Sequence, residues 1–406
     1  PILWPSSRGA PAWRLGGHVA VDGITQRSFR VDMLTGDPPT PSSATACRAG
    51  VCARCEHLPL EQPQSGDLHC WFPAAHVEGK VRAVFRRHGI VPRATVGDGL
   101  MFSYAESQRE SIADALERSL SQVERDDTRA LLCANGTPPV PGDLARVEPL
   151  SRLVARVRSG WLLDVLADQR LVTHFQPIVY AASPQRVYGH EALLRGRTNA
   201  GELIPPARLF ETARDSGLLF QLDLAARRSA IESAARHGMD GTLFVNFAPT
   251  AIYDPASCLR TTVAAIDEAG MARDRVVFEI VETDRAHDPT HLRRILDYYR
   301  GAGFRVALDD VGSGYSSLNL IHLLRPDVLK LDMELVRNVH ADPYKARIAA
   351  NLLDVANDLG IQALAEGIET DDELAWVQEH GATWVQGFLI ARPAAEPLTS
   401  LAMRDA

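Results

Sequence analysis

The chain has 406 residues, of which 46% are hydrophobic and 23% are charged, a composition typical of a globular protein with two or three domains. Its net charge of -8 argues against a general nucleic-acid-binding surface, so no DNA or RNA partner is expected. No apolar run approaches the length of about 18 residues that a transmembrane helix needs. The first residues lack a signal-peptide pattern, and the six cysteines are too few for a disulfide scaffold. We therefore expect a cytoplasmic protein without a membrane span.

The first 145 residues are predicted to form two segments of different character. Residues 1–46 include "TGDPPTPSSATA" and are expected to be irregular, because proline, serine and threonine are concentrated there. Residues 47–145 contain a cysteine cluster and then "SYAESQRESIADALERSLSQVE", whose apolar spacing predicts a helix. "NGTPPVPGD" at 135–143 is interpreted as a linker. We expect residues 47–145 to form a small α+β domain of unknown type.

The cysteine cluster allows three interpretations. Cys47, Cys52 and Cys55 have the spacing C-x4-C-x2-C, which is like that of a [2Fe–2S] ligand loop, but Cys70 comes unusually early for its fourth ligand. Zinc bound by Cys52, Cys55, Cys70 and one histidine is a second interpretation. The histidines available for it are His57, His69 and His76. Ordinary thiols without a metal are the third interpretation, and the sequence leaves all three open.

From about Val172 onward, short apolar segments alternate with helical patterns. The predicted strands are "VTHFQPIVY", "VYGHEALLR", "TLFVNF", "RVVFEIV", "FRVALDD", "VLKLD", "IQALAE" and "TWVQGF". Eight strands with intervening helices over roughly 230 residues predict an α/β fold, a (β/α)8 TIM-like barrel over residues 146–406. The connection around "AASPQR" is too short for a parallel crossover, so the first two strands are expected to be an antiparallel pair.

Polar side chains occur late in nearly every predicted strand. They are Glu191, Asn246, Glu279, Asp309, Asp310, Lys330, Glu366 and Gln386. The carboxyl ends of barrel strands converge on one mouth, where so many carboxylates would repel one another unless cations were bound. Oxygen ligands favour Mg²⁺, Mn²⁺ or Ca²⁺ over zinc. Two such ions close together are suited to phosphodiester hydrolysis.

Lys330 lies inside the apolar strand "VLKLD" and is one of only three lysines in the chain. A lysine in that environment can orient or deprotonate a water molecule, because its pKa changes readily on desolvation. The structural alternative is a salt bridge to Asp332 or Glu366. A single acid at a strand end also has a structural explanation, as a helix cap or a rim charge. The number of positions in register nevertheless favours a functional site.

Eight motifs occur in order along the predicted barrel. They are "FQPIV" at 175–179, "EALLR" at 191–195, "VNF" at 245–247, "FEIVE" at 278–282, "LDDVGSGYSSL" at 308–318, "LKLD" at 329–332, "AEGIET" at 365–370 and "QGFLIARP" at 386–393. Over roughly residues 165–395 the chain thereby resembles the EAL family of cyclic di-GMP phosphodiesterases. The resemblance implies hydrolysis of cyclic di-GMP to linear pGpG by a metal-activated water, with two divalent cations, Mg²⁺ or Mn²⁺. It also implies a homodimer.

The resemblance further implies a role for each site residue. The residues implied to bind one metal are Glu191, Asn246, Glu279 and Asp309. Those implied to bind the second are Asp309, Asp310 and Glu366. The substrate-binding positions are Gln176, Arg195 and Gln386. The catalytic positions are Glu366, Lys330, which helps to activate the attacking water, and Glu282, which anchors the loop after Asp310.

The sequence departs from the family pattern at Val311, where an aromatic residue is usual, at Ser313, where threonine is usual, and at Gly196, where tryptophan is common. Two alternatives to an active phosphodiesterase follow from the resemblance. One is a degenerate EAL module that binds the nucleotide or a protein without hydrolysis. The other is a metal-dependent barrel that acts on another phosphate ester. Every expected metal ligand is present, which favours the active enzyme, and residues 47–145 are expected to regulate it by analogy with other EAL proteins.

Overall fold

The computed structural model describes residues 64–252, 254–281, 289–312 and 317–400. The first part is a five-stranded antiparallel sheet with helices. Its strands are β1 Gly66–Trp71, β2 Arg93–Ala94, β3 Leu100–Tyr104, β4 Arg129–Cys133 and β5 Glu148–Pro149, and its helices are α1 Ala75–Arg87, α2 Arg109–Ser119 and α3 Gln122–Asp127. The strand order is β2-β3-β1-β4-β5. With its two helical crossovers, this order corresponds to a ferredoxin-like arrangement.

The small sheet is held together by a core that the strand and helix periodicities produce. Leu68 and Cys70 alternate along β1 and lie in one hydrophobic cluster, because side chains two positions apart share a face of a strand. Phe85 of α1 packs on that face, and its ring stacks on the ring of Phe102 of β3 at 4.0 Å between centroids. The small domain therefore has a hydrophobic core of its own.

The helix predicted for residues 103–124 is wrong in two places. Ser103 and Tyr104 belong to β3, in which more and less buried side chains alternate. The helical spacing of the residues that follow extends the predicted helix into this strand. The helical stretch is also interrupted at Leu120, whose backbone is extended. Ser121 then caps α3, since its side chain accepts a hydrogen bond from the backbone N–H of Glu124.

The second part is a closed barrel of eight strands with surrounding helices. The strands are β6 Leu171–Tyr180, β7 Ser183–Arg197, β9 Thr242–Asn246, β10 Val276–Val281, β11 Arg305–Val311, β12 Val328–Leu331, β13 Gln362–Ala365 and β14 Trp384–Val385, with β8 Leu203–Ile204 added outside β7. Strand β6 is antiparallel to both of its neighbours, and the other barrel neighbours are parallel. The predicted TIM-like barrel with an antiparallel first pair is confirmed.

Two helices, α4 Leu150–Arg158 and α5 Gly160–Ala167, precede the barrel, and the other helices connect its strands in chain order. The connecting helices are α6 Pro206–Ser216, α7 Leu219–Arg236, α8 Pro255–Cys258, α9 Arg260–Glu268, α10 Pro289–Gly301, α11 Ser317–Leu324, α12 Met333–Val336, α13 Pro343–Asp358 and α14 Asp371–Glu379. In the described residues, no helix combines the length and the apolar character needed to cross a membrane.

A layer of apolar side chains forms a separate cluster to which seven barrel strands contribute. Its members are Ile178, Phe244, Val277, Ala307, Val328, Leu364 and Trp384. One residue from each strand indicates a single layer inside the barrel, as TIM-like barrels have. The next position on the same face of a strand lies two residues away, and this spacing places the candidate site.

Candidate functional site

The polar residues predicted at the strand ends occupy the next position beyond the apolar layer. Counting two residues from the layer gives Asn246, Glu279, Asp309, Lys330, Glu366 and Gln386, and Gln176 on the antiparallel strand β6. Glu191 of β7 joins them, because it pairs in register with Gln176. The alternation of side chains along each strand therefore carries these residues to the same end of the barrel as a second, polar layer.

Three buried carboxylates form the centre of the site. Glu191, Glu279 and Asp309 each offer an oxygen that lies within 4.8 Å of the other two, and Glu279 is fully buried. A second group, Asp309, Asp310 and Glu366, satisfies the same distance limit and shares Asp309 with the first. The structure thus brings together the carboxylates that were predicted for two metals, with Asp309 common to both groups.

Adjacent carboxylates can serve one site because strand β11 is irregular at this point. In a regular strand Asp309 and Asp310 would face opposite sides of the sheet. The pairing with β12 shifts register between Leu308 and Val311, and Asp310 has a φ of 56°. Such a left-handed conformation is uncommon outside glycine and often occurs at functional sites. The irregularity lets Asp310 share a site with Asp309.

Lys330 lies among these carboxylates and is almost completely buried. Its Nζ is 2.7 Å from Glu279 Oε1, 2.9 Å from Asp309 Oδ1 and 2.9 Å from Glu366 Oε1. Of the two salt-bridge partners considered from the sequence, Glu366 is therefore correct. Asp332 is not, because its carboxylate caps α12 by accepting a hydrogen bond from Glu334 N at 2.8 Å. Lys330 contacts three candidate metal-binding residues at once.

The protonation equilibria of the site reflect this crowding. Burial raises the pKa of Glu279 well above its ordinary value, and the nearby Glu191 and Asp309 add to that effect. Burial and the adjacent Asp309 raise the pKa of Asp310 to about 6. Glu191 is the exception: burial alone would raise its pKa, but Lys330, Gln386 and Asn246 together lower it. One ammonium does not neutralise five carboxylates, so the site favours additional positive charge.

Amide side chains orient the central carboxylate. Asn246 Nδ2 donates to Glu191 Oε1 at 3.1 Å, and Gln386 Nε2 donates to Glu191 Oε2 at 2.7 Å. Gln386 Nε2 also lies 3.0 Å from Gln176 Oε1, which places these two predicted substrate-binding residues in contact. Arg195, the third, is half-buried, and its Nη1 donates to Leu194 O. The geometry thus brings Gln176 and Gln386 into the carboxylate site itself.

The donor set fits hard divalent cations. The two groups supply carboxylate oxygens, and Asn246 adds an amide oxygen, with no sulfur or imidazole among them. Both carboxylate oxygens of Glu279 are buried and lack a hydrogen-bond partner of good geometry within the described part of the chain, apart from the ion pair with Lys330. Mg²⁺ and Mn²⁺ prefer such oxygen ligands, whereas zinc usually takes nitrogen or sulfur.

Several predicted positions lie outside the described residues. They are Glu282, Ser313, Cys47, Cys52, Cys55 and His57. Cys70 is described: it is buried in the core of the small sheet, and burial raises the pKa of its thiol. Among the described residues, the groups of three or more side chains suited to a metal are the two carboxylate groups alone. A metal at the cysteine cluster stays a prediction.

Two of the departures from the family pattern have a simple structural setting. Val311 is fully buried at the end of β11. The side chain at this position is therefore enclosed by its neighbours, and an apolar residue suits it. Gly196 lies on β7, and an added Cβ would come within 3.3 Å of Ile204 and Leu209 side chains. A larger residue at 196 would therefore require the side chains of Ile204 and Leu209 to shift.

One residue next to the site was missed from the sequence. Asp223 of α7 accepts a hydrogen bond from the backbone N–H of Ala248, two residues after Asn246. The available signal was an acid and a base four residues apart, Asp223 and Arg227, within the largely apolar stretch "LFQLDLAARRSAI". Such a pair on a helix is usually exposed, which is why the spacing alone did not single it out.

The barrel is similar in sequence and in fold to known proteins. A standalone EAL protein from Vibrio cholerae O395, solved in its c-di-GMP-bound form, is 37% identical and gives a TM-score of 0.52 over 57% of this chain and 95% of that chain. The probable cyclic di-GMP phosphodiesterase PdeG of Escherichia coli K12 is 31% identical over 57% of this chain and 46% of that protein. The cyclic di-GMP phosphodiesterase NbdA of Pseudomonas aeruginosa is 30% identical over 59% of this chain and 31% of that protein.

These similarities have a defined extent. The matched stretch spans less than half the length of each of these curated relatives. A family model described as the EAL domain matches residues 159–393, which is more than half of the chain and includes the whole barrel. The match begins just after α4 and contains every residue of the carboxylate site. The chain therefore belongs to the EAL domain family.

Proposed function

We propose that this protein hydrolyses cyclic di-GMP to linear 5'-pGpG with the help of two divalent cations, Mg²⁺ or Mn²⁺. The observation that carries the proposal is the convergence of Glu191, Glu279, Asp309, Asp310 and Glu366 around one buried lysine at one end of the barrel. The names of PdeG and NbdA support it, since both are described as cyclic di-GMP phosphodiesterases.

Each residue of the site has a role in this proposal. One cation would be held by Glu191, Asn246, Glu279 and Asp309, and the other by Asp309, Asp310 and Glu366. When bound, two such cations lower the pKa of a water and stabilise charge on the phosphate. Lys330 keeps its proton, because the surrounding carboxylates outweigh burial and raise its pKa well above its ordinary value. It therefore acts by orienting the attacking water and balancing charge.

The substrate would lie over Gln176, Arg195 and Gln386. Gln386 and Gln176 offer amide groups, and Arg195 offers a cation suited to a phosphate or a guanine edge. Cyclic di-GMP carries two phosphodiester groups, so one can reach the carboxylate site while the other is held outside it. Glu282, which lies outside the described residues, is proposed to anchor the loop after Asp310, as the family resemblance implies.

The test is hydrolysis of cyclic di-GMP by the purified 406-residue chain with Mg²⁺ or Mn²⁺, followed by chromatography for pGpG. We expect product that disappears with a chelator, and Glu191→Ala should abolish turnover by removing a buried ligand. Glu202→Ala is the matched control, because Glu202 is exposed, directly before β8, and belongs to neither carboxylate group.

Other outcomes would identify the alternatives. Tight binding of cyclic di-GMP without product would indicate a receptor rather than an enzyme. Hydrolysis of simple aryl phosphates at a similar rate would indicate a phosphatase of another specificity. Wild-type turnover in Glu191→Ala would contradict the assignment of the site.

We also propose that the small domain regulates the barrel and that the protein forms a homodimer. Met333, Tyr344 and Ile348 support the second point, because these large side chains of α12 and α13 are 54%, 82% and 51% exposed. Sedimentation of the wild type and of Tyr344→Asp measures this, with a shift to the monomer expected for the variant. The regulatory link is tested by substitution of Arg156, which connects α4 to the end of α6.

A further inference from the structure

A buried ion pair lies beside the strand that carries Asn246. Asp223 and Arg227 are one turn apart on α7, and their side chains are 2% and 3% exposed. Arg227 donates to Asp223 Oδ2 through Nη2 at 2.8 Å and through Nε at 3.1 Å. Apolar residues of similar volume often stabilise such a position equally well, so stability alone does not explain this pair.

The second carboxylate oxygen of Asp223 contacts the backbone of the candidate site. Asp223 Oδ1 accepts a hydrogen bond from Ala248 N at 2.8 Å. The preceding amide, Phe247 N, donates to Glu279 O at 3.2 Å. The backbone that follows Asn246 is thus held by the neighbouring strand at residue 247 and by Asp223 at residue 248.

This support matters because β9 ends at Asn246. Beyond that residue the neighbouring strand holds only the amide of Phe247, and the buried amide at Ala248 would lack a partner without Asp223. Asn246 also holds Glu191 Oε1 at 3.1 Å, so a shift of its backbone would disturb two candidate ligands. Groups behind metal ligands typically change metal affinity about 10- to 100-fold when they are removed.

Arg227 in turn restrains Asp223. Its Nη1 donates to Thr262 Oγ1 of α9, and Thr262 is fully buried. The guanidinium is therefore held by hydrogen bonds to Asp223 and to Thr262 of α9. Because the guanidinium is held, the Asp223 carboxylate has little freedom to rotate away from Ala248.

We propose that Asp223 is a positioning residue that fixes Asn246 through the backbone N–H of Ala248, with Arg227 orienting Asp223. This inference rests on the proposed function, in which Asn246 binds a divalent cation. Asp223 and Arg227 would act on metal affinity without touching the metal or the substrate.

The test uses the double variant Asp223→Leu/Arg227→Met of the 406-residue chain. Replacing both partners removes the hydrogen bond to Ala248 without leaving a buried unpaired charge. Mn²⁺ binding is measured by titration calorimetry, and turnover is measured across a range of Mn²⁺ concentrations. We expect Mn²⁺ affinity to fall about 10- to 100-fold. We also expect turnover to recover at high Mn²⁺ and the KM for cyclic di-GMP to stay near the wild-type value.

The matched control is Asp254→Ala in the same β9–β10 connection. Asp254 caps α8 by accepting a hydrogen bond from Ser257 N at 2.9 Å, so its loss weakens the connection without reaching Ala248. The control should bind Mn²⁺ as the wild type does. Wild-type Mn²⁺ affinity in the double variant, or an equal loss in Asp254→Ala, would overturn the positioning role.

A second measurement needs no variant and covers the case in which the double variant fails to fold. If the conformation of residues 246–248 is linked to the metal, Mn²⁺ must slow hydrogen exchange at the amide of Ala248 in the wild type. Exchange that is unaffected by saturating Mn²⁺ would overturn the inference. A wild type that binds Mn²⁺ without hydrolysing cyclic di-GMP would refute the proposed function alone, whereas one that binds no Mn²⁺ would refute both.

Discussion

At the scale of single residues, Lys330 defines the electrostatics of the site. Its ammonium contacts Glu279, Asp309 and Glu366 within 2.9 Å, and the pKa of each of these carboxyls is nevertheless raised, with burial as the largest cause. The lysine therefore compensates only part of the buried negative charge. Binding of divalent cations should displace the remaining protons, so metal affinity should rise with pH.

Replacing Lys330 with methionine separates catalysis from metal binding. We expect turnover to fall by about 100-fold or more, because the attacking water loses the ammonium that orients it and balances charge beside it. Mn²⁺ should bind at least as tightly as in the wild type, because a neighbouring positive charge has been removed. Turnover assays and titration calorimetry measure the two effects.

Lys345→Met is the matched control for Lys330. Lys345 donates to the backbone carbonyls of Glu334 and Arg337 near the surface and should leave turnover unchanged. A Lys330→Met variant that loses Mn²⁺ and turnover together would show that Lys330 is structural.

The sequence predicted individual site residues better than it predicted their contacts. The site residues could be found because Asn246, Glu279 and Lys330 interrupt apolar runs late in each strand, and the barrel topology then brings them together. The partner of Lys330 could not be decided between Asp332 and Glu366, since a capping role for Asp332 depends on where β12 ends. The irregularity at Asp310 was likewise hidden, because register between strands is not a local property.

At the scale of elements, the loops after β13 and β14 form one unit behind the site. Ile368 N donates to Gln386 O at 3.0 Å, and Leu389 N donates to Ile368 O at 2.9 Å. Gly387 lies between these bonds, where an added Cβ would overlap the backbone nitrogen and oxygen of Ile368. The two loops carry Glu366 and Gln386, so their close contact fixes the spacing between a candidate ligand and a candidate substrate contact.

Gly387→Ala should therefore impair both stability and turnover. The overlap involves backbone atoms that cannot rotate away, and overpacking of this kind typically costs about 1–3 kcal/mol. Urea unfolding followed by circular dichroism measures the change in free energy, and the hydrolysis assay measures the displacement of Gln386.

Gly79→Ala provides the opposite control. Gly79 is exposed within α1, and an added Cβ there meets no atom within 4 Å. Alanine should stabilise that helix by about 0.5–1 kcal/mol and leave turnover unchanged. Two glycine substitutions that behave alike would contradict the close packing of the loops.

The contrast between the two parts shows which elements a single sequence can predict. The barrel strands are apolar runs bounded by turns, so their number and order were correct, although their ends moved by a few residues. In the small domain, Ser103 and Tyr104 were assigned to a helix because the following residues have strong helical spacing. The ferredoxin-like arrangement depends on pairing between strands far apart in sequence, which no local pattern reveals.

At the scale of the whole molecule, α4 links the small sheet to the barrel. Leu150, Leu153 and Val154 pack in the hydrophobic cluster of the small domain. On the same helix, Arg156 donates through Nε to Ser216 O at the end of α6 and pairs through Nη1 with Glu148 at 2.7 Å. Helix α6 leads directly into α7, which carries Asp223, so α4 offers a physical route from the small domain to Asn246.

Arg156→Met should therefore let the small domain and the barrel unfold independently of each other. The substitution removes the two hydrogen bonds of the guanidinium, to Ser216 O and to the half-buried Glu148, each worth about 1.5–3 kcal/mol, while the apolar contacts of α4 remain. In differential scanning calorimetry of the 406-residue chain, we expect the wild type to unfold in one transition whose midpoint temperature Mn²⁺ raises. The variant should show two transitions, of which only the barrel transition responds to Mn²⁺, because a ligand stabilises the unit that binds it.

Arg228→Met is the matched control, since Arg228 is exposed on α7 and pairs with Glu232 of the same helix. Two transitions in the wild type would show that the parts are already independent, and a single Mn²⁺-responsive transition in Arg156→Met would show that the coupling runs through other contacts.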